Sequence, residues 1–269
     1  MKKRRLPIYF KVLLAILVIL VIVVLSILLT KINALDPRSQ EVQELYAYLG
    51  DGYLDYCGGM PLYNGNSVTS EKLDIDTKMC MAYKQITKEK VGETTLSNTK
   101  KKDICEFSSD KLFRLDDESD VCTVNTLKQT LLEAAYYKLF GEKLKNNKDF
   151  NLSGSVVCYY SEEEGSYTCG NAQAQTIELG WAPTMYRMIT KAKKKGKDII
   201  IYDYYLAINN DTCYLSNNGN KENKECSEKI NSKTEYTSRF VAKNGQMYMH
   251  TFSPDKDGIY HWKSTTPID

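Results

Sequence analysis

Residues 12–30 constrain this chain more than any other segment, because they run for nineteen positions without a charged side chain. Nearly all of them are Val, Ile or Leu. At ~1.5 Å rise per residue an α-helix of this length spans about 28 Å, close to the ~30 Å hydrocarbon core of a bilayer. A helix also satisfies its backbone hydrogen bonds internally, as lipid requires. The sequence therefore predicts a transmembrane signal-anchor helix at 12–30.

The basic residues around this segment predict its orientation. Five of them precede it, namely Lys2, Lys3, Arg4, Arg5 and Lys11, whereas only Lys31 and Arg38 follow closely. The positive-inside rule then keeps residues 1–11 in the cytoplasm and places the C-terminal part outside the cell membrane. A cleaved signal peptide is the alternative, although its apolar region usually has about 7–15 residues.

Beyond the anchor, the sequence divides into a juxtamembrane linker at 31–36 and two regions. Residues 37–122 predict a mostly helical, loop-rich region with disulfides, and residues 123–269 an α+β region that packs with it as one ectodomain. The formal net charge of +2 gives no reason to expect a nucleic-acid partner. Twenty Tyr against seven Phe indicate a thin core whose ring hydroxyls reach water or polar partners.

Eight cysteines lie beyond the predicted anchor and none within or before it: Cys57, Cys80, Cys105, Cys122, Cys158, Cys169, Cys213 and Cys226. An even number on the exported side is typical of a disulfide framework, although the count leaves the connectivity open. Proximity favours a Cys158–Cys169 bridge within a hairpin and a Cys213–Cys226 bridge across a polar loop. Zinc binding and thiol–disulfide catalysis would favour a C-x-x-C spacing, and no two cysteines are closer than eleven positions.

Apolar periodicity predicts four helices in the ectodomain. The first covers residues 38–50, the second covers 77–86 with Asp76 as its cap, and the third begins near Thr123 or Asn125 and ends at Gly141. The fourth runs from Pro183 to Gly196 and ends in the basic sequence KAKKKGK. We interpret these lysines as cations that complement the end of a helix dipole; the alternative is contact with an anionic envelope polymer.

Alternation of side chains predicts strands at Ser155–Tyr160, Ser166–Gly170, Ala174–Leu179 and 198–209. The last of these is apolar at both odd and even positions, which indicates a central strand covered on both faces. Two hairpins are predicted near the C-terminus, at Asn244-Gly245 and at 254–258. The fold class is therefore α+β, with helices packed on a mainly antiparallel sheet. This element order is similar to that of cystatin-like and NTF2-like folds.

The two histidines are the candidate site residues. A hairpin that turns symmetrically about Asp255 and Lys256 would pair His250 with His261, close enough to form half of a metal or anion site. The competing interpretation is a polar cross-strand pair on the solvent face.

The remaining sequence shows no catalytic motif, no cofactor fingerprint and no phosphate-binding loop. The leading hypothesis is a membrane-anchored extracytoplasmic module that binds a surface protein or an envelope polymer. The alternative is an exported hydrolase that uses a pair of carboxylates.

Overall fold

The computed structural model describes residues 14–21, 33–50, 57, 59–86, 90–95, 123–153, 156–170, 184–209, 212–216, 224–226 and 237–268. Residues 14–21 are helical, and their Leu, Ile and Val side chains are 49–61% exposed. The rest of the predicted anchor at 12–30 lies outside the described residues. Within the described residues, no helix is both long and apolar enough to cross a membrane.

Beyond residue 33, the described residues contain five helices: α1 (Gln40–Ala47), α2 (Gly59–Leu62), α3 (Ile75–Lys84), α4 (Gln129–Phe140) and α5 (Ser238–Asn244). Three begin at a polar N-cap whose side chain accepts a hydrogen bond from a backbone N–H in the first turn. These caps are Ser39, Asp74 and Thr237. α4 instead ends at a C-cap, because Gly141 adopts the left-handed conformation at φ 71°.

The larger sheet is antiparallel and consists of eight strands: β1 (Ala34–Leu35), β2 (Val68–Thr69), β8 (Thr184–Lys195), β9 (Asp198–Asn209), β10 (Thr212–Tyr214), β11 (Lys224–Glu225), β12 (Gln246–Pro254) and β13 (Tyr260–Ile268). Its main order is β1-β8-β9-β12-β13-β2. β10 pairs with the end of β9, and β11 pairs with β10.

The smaller sheet has five antiparallel strands: β3 (Gly92–Thr95), β4 (Thr123–Lys128), β5 (Phe150–Ser153), β6 (Val156–Ser161) and β7 (Ser166–Gly170). Their order is β3-β4-β7-β6-β5. The fold is thus α+β with antiparallel strands, as predicted. The described residues form two sheets, whereas the sequence predicted one.

The position of β9 confirms the prediction of a central strand, because it lies between β8 and β12 and is covered on both faces. Ile199, Ile201 and Tyr205 point into the main core, which also holds Val42 of α1 and Leu132 of α4. The opposite face packs against a second cluster, formed by Leu206, Ile208, Cys213, Cys226, Phe240 and Val241. The main core thus combines side chains from both of the predicted ectodomain regions.

The predicted helix between Pro183 and Gly196 is wrong, because residues 184–195 form β8. This strand pairs with β9 along almost its whole length, and the pairing overrides the helix propensity of its Lys and Ala residues. A bulge between Ile189 and Lys191 shifts the alternation by one position. The two-residue period is therefore interrupted, and the segment lacks the sequence signature of a strand.

The other helix predictions need smaller corrections. Residues 123–128 form β4, so α4 begins at Gln129 rather than near Thr123 or Asn125, while its end at Gly141 is confirmed. α3 is capped by Asp74 rather than by Asp76. The helix predicted at 38–50 is confirmed as α1.

The hairpin predicted at Asn244-Gly245 is also wrong, since these residues end α5. The buried Asn244 donates its side-chain N–H to the backbone oxygen of Phe240, four residues earlier. In contrast, the hairpin at 254–258 and the β6–β7 hairpin are confirmed. The strand predicted at Ala174–Leu179 lies outside the described residues.

Candidate functional site

His250 and Asp203 form the centre of a buried polar network. Asp203 is the buried acidic residue in the middle of the apolar strand β9, which begins at Asp198, and His250 lies on the adjacent β12. The distance from the Nε2 of His250 to the Oδ1 of Asp203 is 2.8 Å, and both residues have an exposed fraction of 0%. A carboxylate this deeply buried needs several partners, because burial penalises an unpaired charge.

Two tyrosines and an arginine supply those further partners. Tyr46 of α1 and Tyr63 donate their hydroxyls to the Oδ2 of Asp203 at 2.6 and 2.7 Å. The Nε of Arg187 lies 3.6 Å from the same oxygen. The guanidinium carbon is 4.3 Å from the ring centre of Tyr46 and 4.8 Å from that of Tyr63, which places the cation over both rings.

These contacts determine the charge state of Asp203. Burial by itself would raise the pKa of this carboxyl. The charge and hydrogen bond of His250, the charge of Arg187 and the hydroxyl of Tyr46 outweigh burial, and they hold the pKa below its ordinary value. Burial also raises the pKa of Tyr46 and of Tyr63, with a further contribution from the Asp203 carboxylate. Asp203 is therefore an anion at neutral pH, and the two tyrosines are neutral donors.

The opposite side of the imidazole extends the network to Thr265. The Nδ1 of His250 is 2.9 Å from the Oγ1 of Thr265, which also accepts the indole N–H of Trp262 at 3.1 Å. An Asp–His–hydroxyl series is the arrangement that activates a nucleophile in many hydrolases. Here His250, Thr265 and Trp262 all have an exposed fraction of 0%. A substrate would have no route to this hydroxyl, so the series holds the core together.

His261 belongs to a second network at the turn between β12 and β13. Its Nδ1 is 2.9 Å from the backbone oxygen of Lys138, and its Nε2 is 3.2 Å from the Oδ2 of Asp255. The hydroxyl of Tyr137 donates to the same carboxylate oxygen at 2.8 Å. These hydrogen bonds and two backbone N–H groups of the turn lower the pKa of Asp255, even though burial acts in the opposite direction. The network ties the end of α4 to the hairpin.

The predicted pairing of His250 with His261 is wrong. His250 faces Thr265 and His261 faces Ser253, because the hairpin has a different register from the symmetric one and a bulge after Thr251. The metal or anion site suggested for these residues stays a prediction without the pairing on which it depended. The part of the chain that the structure describes contains no group of three or more His, Cys, Asp or Glu side chains placed to hold a metal ion.

Among the described residues, the cysteines form three disulfide bonds. Cys158–Cys169 bridges β6 and β7, and Cys213–Cys226 lies beside the second core cluster, both as predicted from their proximity. Cys57–Cys80 ties α3 to the segment before α2. Cys105 and Cys122 lie outside the described residues.

An open groove of about 600 Å³ follows the outer side of α4. It is lined by Thr130, Glu133, Ala134, Tyr137, Lys143 and Leu144. The carboxylate of Glu133 is held in place, since its Oε1 accepts hydrogen bonds from Gln129 at 2.7 Å and from Asn147 at 2.9 Å. Lys143 is exposed, so the groove combines apolar and aromatic side chains with one cation and one fixed anion.

A second surface feature is the basic end of β8. Five of the seven residues from 191 to 197 are lysines, namely Lys191, Lys193, Lys194, Lys195 and Lys197. All are exposed except Lys193, which is half-buried and whose ammonium lies 5.3 Å from the ring centre of Tyr202. We call these five residues the lysine end of β8. The strand β1 pairs here, with Ala34 opposite Lys193.

No family model, no curated protein and no solved structure matches this chain.

Sequence reasoning missed the residues that surround His250. The signal for Asp203 was present, because a single acid inside a strand with apolar residues on both faces needs buried partners. The contact of Arg187 with Asp203 was not predicted, because residues 183–196 were assigned to a helix and not to a strand beside β9. Nothing in the local sequence of Tyr46 or Tyr63 indicates that both reach Asp203, which is 157 residues from one and 140 from the other.

Proposed function

We propose that this chain is a membrane-anchored, extracytoplasmic binding module that holds a short peptide segment of a surface protein in the groove along α4. The groove is the observation that carries the proposal. Its volume lies in the range of ~300–1,000 Å³ that is typical of ligand sites, and it is lined mainly by apolar and aromatic surface with a few polar groups.

The polar groups of the groove suit a peptide. The exposed Lys143 offers a cation for a backbone carbonyl or a carboxylate, and the anchored Glu133 offers an acceptor for an amide or a basic side chain. Tyr137 supplies an aromatic face in the same groove, and aromatic residues are enriched in protein interfaces.

The exported and anchored location is supported by two features. Residues 14–21 expose their Leu, Ile and Val side chains, an arrangement suited to lipid and unfavourable in water. The three disulfides fit an oxidising compartment outside the cytoplasm. Together with the apolar run at 12–30 and the basic residues before it, these features favour an N-terminus in the cytoplasm and an ectodomain outside.

The alternative, a carboxylate-dependent hydrolase, has less support from the described residues. Such an enzyme needs two carboxyl groups near each other and one acid with a raised pKa. One carboxylate, that of Glu133, lines the groove. Among the described carboxyl groups whose pKa shifts, the shift is downward in each case: Asp74, Glu142, Asp203 and Asp255. A lowered pKa keeps a carboxyl group ionised, which suits an anion in a structural network better than a catalytic acid.

A selection with displayed random peptides tests the proposal. The full chain in lipid nanodiscs serves as bait, with Ala134→Trp as the groove variant, because this exposed position lines the groove and a Trp side chain fills it. Glu163→Trp in the exposed β6–β7 turn is the matched control. We expect selected peptides to bind wild type and the control equally, and to bind the groove variant at least about tenfold more weakly. Peptides that bind all three chains alike would overturn the groove as the binding site.

A further inference from the structure

We propose that the lysine end of β8 lies against the extracytoplasmic face of the membrane that holds the predicted anchor. There it binds the headgroups of anionic phospholipids. The inference rests on the proposed anchor at 12–30 and adds a second, ionic contact between the ectodomain and the bilayer. Three features support it: the direction in which the chain approaches the sheet, the clustering of the lysines, and the secondary structure that carries them.

The chain enters the ectodomain beside these lysines. The backbone N–H of Lys194 donates to the oxygen of Asn33 at 2.8 Å, and Ala34 and Leu35 pair with Lys193 and Ala192. Because the pairing is antiparallel, the described chain from Leu35 back to Asn33 runs toward the end of β8 at Lys195. Only three residue steps separate Asn33 from Thr30, the last residue of the predicted anchor, and they span at most ~10 Å. The lysine end therefore lies on the side of the domain that faces the bilayer.

The lysines project from both faces of this end of the sheet. Lys191, Lys193 and Lys195 pair with Tyr202, Ile200 and Asp198, so they share one face at alternating positions. Lys194 lies on the other face, and Lys197 follows in the turn before β9.

The carboxylates at this end do not cancel the positive charge. Asp198 lies opposite Lys195, and the neighbouring hairpin turn contributes Asp255 and Asp257 beside Lys256. Counting Lys256, six lysines therefore stand against these three carboxylates at this end of the domain. The end of β8 thus presents a cationic surface of the kind that anionic lipids attract, with each lysine contributing to the attraction.

Two simpler explanations for the lysines do not fit their position. They cannot complement a helix dipole, because residues 184–195 form a strand. Nor does protection of an open sheet edge, which is a common use of lysine in edge strands, account for Lys193 and Lys194. Lys193 and Lys194 lie where β1 covers the edge of β8, whereas residues 184–189 of the strand, which β1 leaves uncovered, contain no lysine.

Lysine acylation mapped by mass spectrometry tests the inference on the full chain in vesicles. One set of vesicles contains phosphatidylcholine alone, and the other contains phosphatidylcholine mixed with phosphatidylglycerol. Lys224 is the internal control, because this exposed residue of β11 lies beside the far end of β9, about 30 Å along the sheet from the lysine end. Extraction of both preparations with alkaline carbonate tests the anchor separately.

We expect the chain to resist carbonate and the exposed lysines of the lysine end to react about fivefold more slowly on the anionic vesicles. Lys224 should react equally on both. Raising the salt to ~1 M, where the screening length falls to ~3 Å, should remove the protection. A chain that resists carbonate but shows equal lysine reactivity on the two lipids would overturn headgroup binding and leave the anchor intact. A chain that carbonate releases would overturn both.

Discussion

Asp203 and His250 are diagonal neighbours on adjacent strands, and 2.8 Å separates the carboxylate Oδ1 of the first from the imidazole Nε2 of the second. Neither residue has exposed surface. The pair joins α1, the segment around Tyr63, β8, β9, β12 and β13, because Tyr46, Tyr63, Arg187 and Thr265 all contact it. The network therefore fixes how helix and sheet meet at the centre of the domain.

Removing the charge of Asp203 should destabilise the fold strongly. In Asp203→Asn, Arg187 stays buried without its anionic partner, and breaking a buried pair of this kind costs about 3–5 kcal/mol. The free energy of unfolding of the full chain in detergent micelles, measured by urea titration, checks this. Asp257→Asn changes an exposed carboxylate and should stay within about 0.5 kcal/mol of wild type. Equal stability of the two variants would show that the network contributes little.

Stability should fall in acid. The pKa of Asp203 is lower in the folded chain than its ordinary value near ~3.9 in the unfolded chain. Such a group stabilises the fold above the unfolded pKa, and this stability is lost as the pH falls toward the folded pKa. Asp74, Glu142 and Asp255 shift in the same direction. Melting temperatures should therefore change little between about pH 7 and 5 from these groups and decrease steeply below about pH 4.

Asp203→Asn is also the control for this pH dependence. The variant should lose part of the decrease below about pH 4, because it no longer has the carboxyl that must be protonated. A variant whose melting temperature falls as steeply as that of wild type would assign the acid sensitivity to other groups.

Gly141 should tolerate a side chain poorly. Its φ of +71° disfavours any residue with a Cβ, and an added Cβ would lie 2.6 Å from the Cδ2 of His261. Gly196 has a similar φ of +65°, but an added Cβ there would meet no atom within 4 Å. We expect Gly196→Ala to cost about 1–2 kcal/mol from backbone strain alone. Gly141→Ala should cost more, because the His261 ring must move. Equal losses in the unfolding free energy would show that the ring adapts freely.

Non-reducing peptide mapping should recover the three described bridges, Cys57–Cys80, Cys158–Cys169 and Cys213–Cys226. Replacing both Cys158 and Cys169 by Ser should lower the free energy of unfolding by about 3 kcal/mol in the chain-entropy treatment of a loop of this length. Peptides that join any of these six cysteines to a different partner would contradict the structure.

Much of the fold could be predicted from local signals. β9 was recognisable because its odd and even positions are both apolar, and α1 because Val42, Leu45 and Leu49 recur at helical spacing and become buried. The β6–β7 and β12–β13 hairpins were recognisable from their turn residues, including Gly165 at φ 57° and Gly258 at φ 82°. These features depend on neighbours in sequence.

What could not be predicted depends on contacts between distant residues. β8 was predicted as a helix because the bulge between Ile189 and Lys191 inserts one extra residue, which interrupts the two-residue period of a strand. The register of the β12–β13 turn likewise changed the partners of both histidines, and the bulge after Thr251 moved the partner of His250 by one further position. The network around Asp203 and His250 joins residues from six separate segments, and no short-range pattern encodes such long-range contacts.

The short strand β1 has a mechanical consequence if the chain is held by its anchor. Any pull between the bilayer and a bound partner reaches the domain through Ala34 and Leu35, which pair with β8. Since β1 runs antiparallel to β8, a pull along β1 would load the backbone hydrogen bonds between the two strands together in shear. Unzipping, in contrast, would break them one at a time. If the proposed anchor holds the chain, this attachment therefore resists a pull better than an unzipping geometry would.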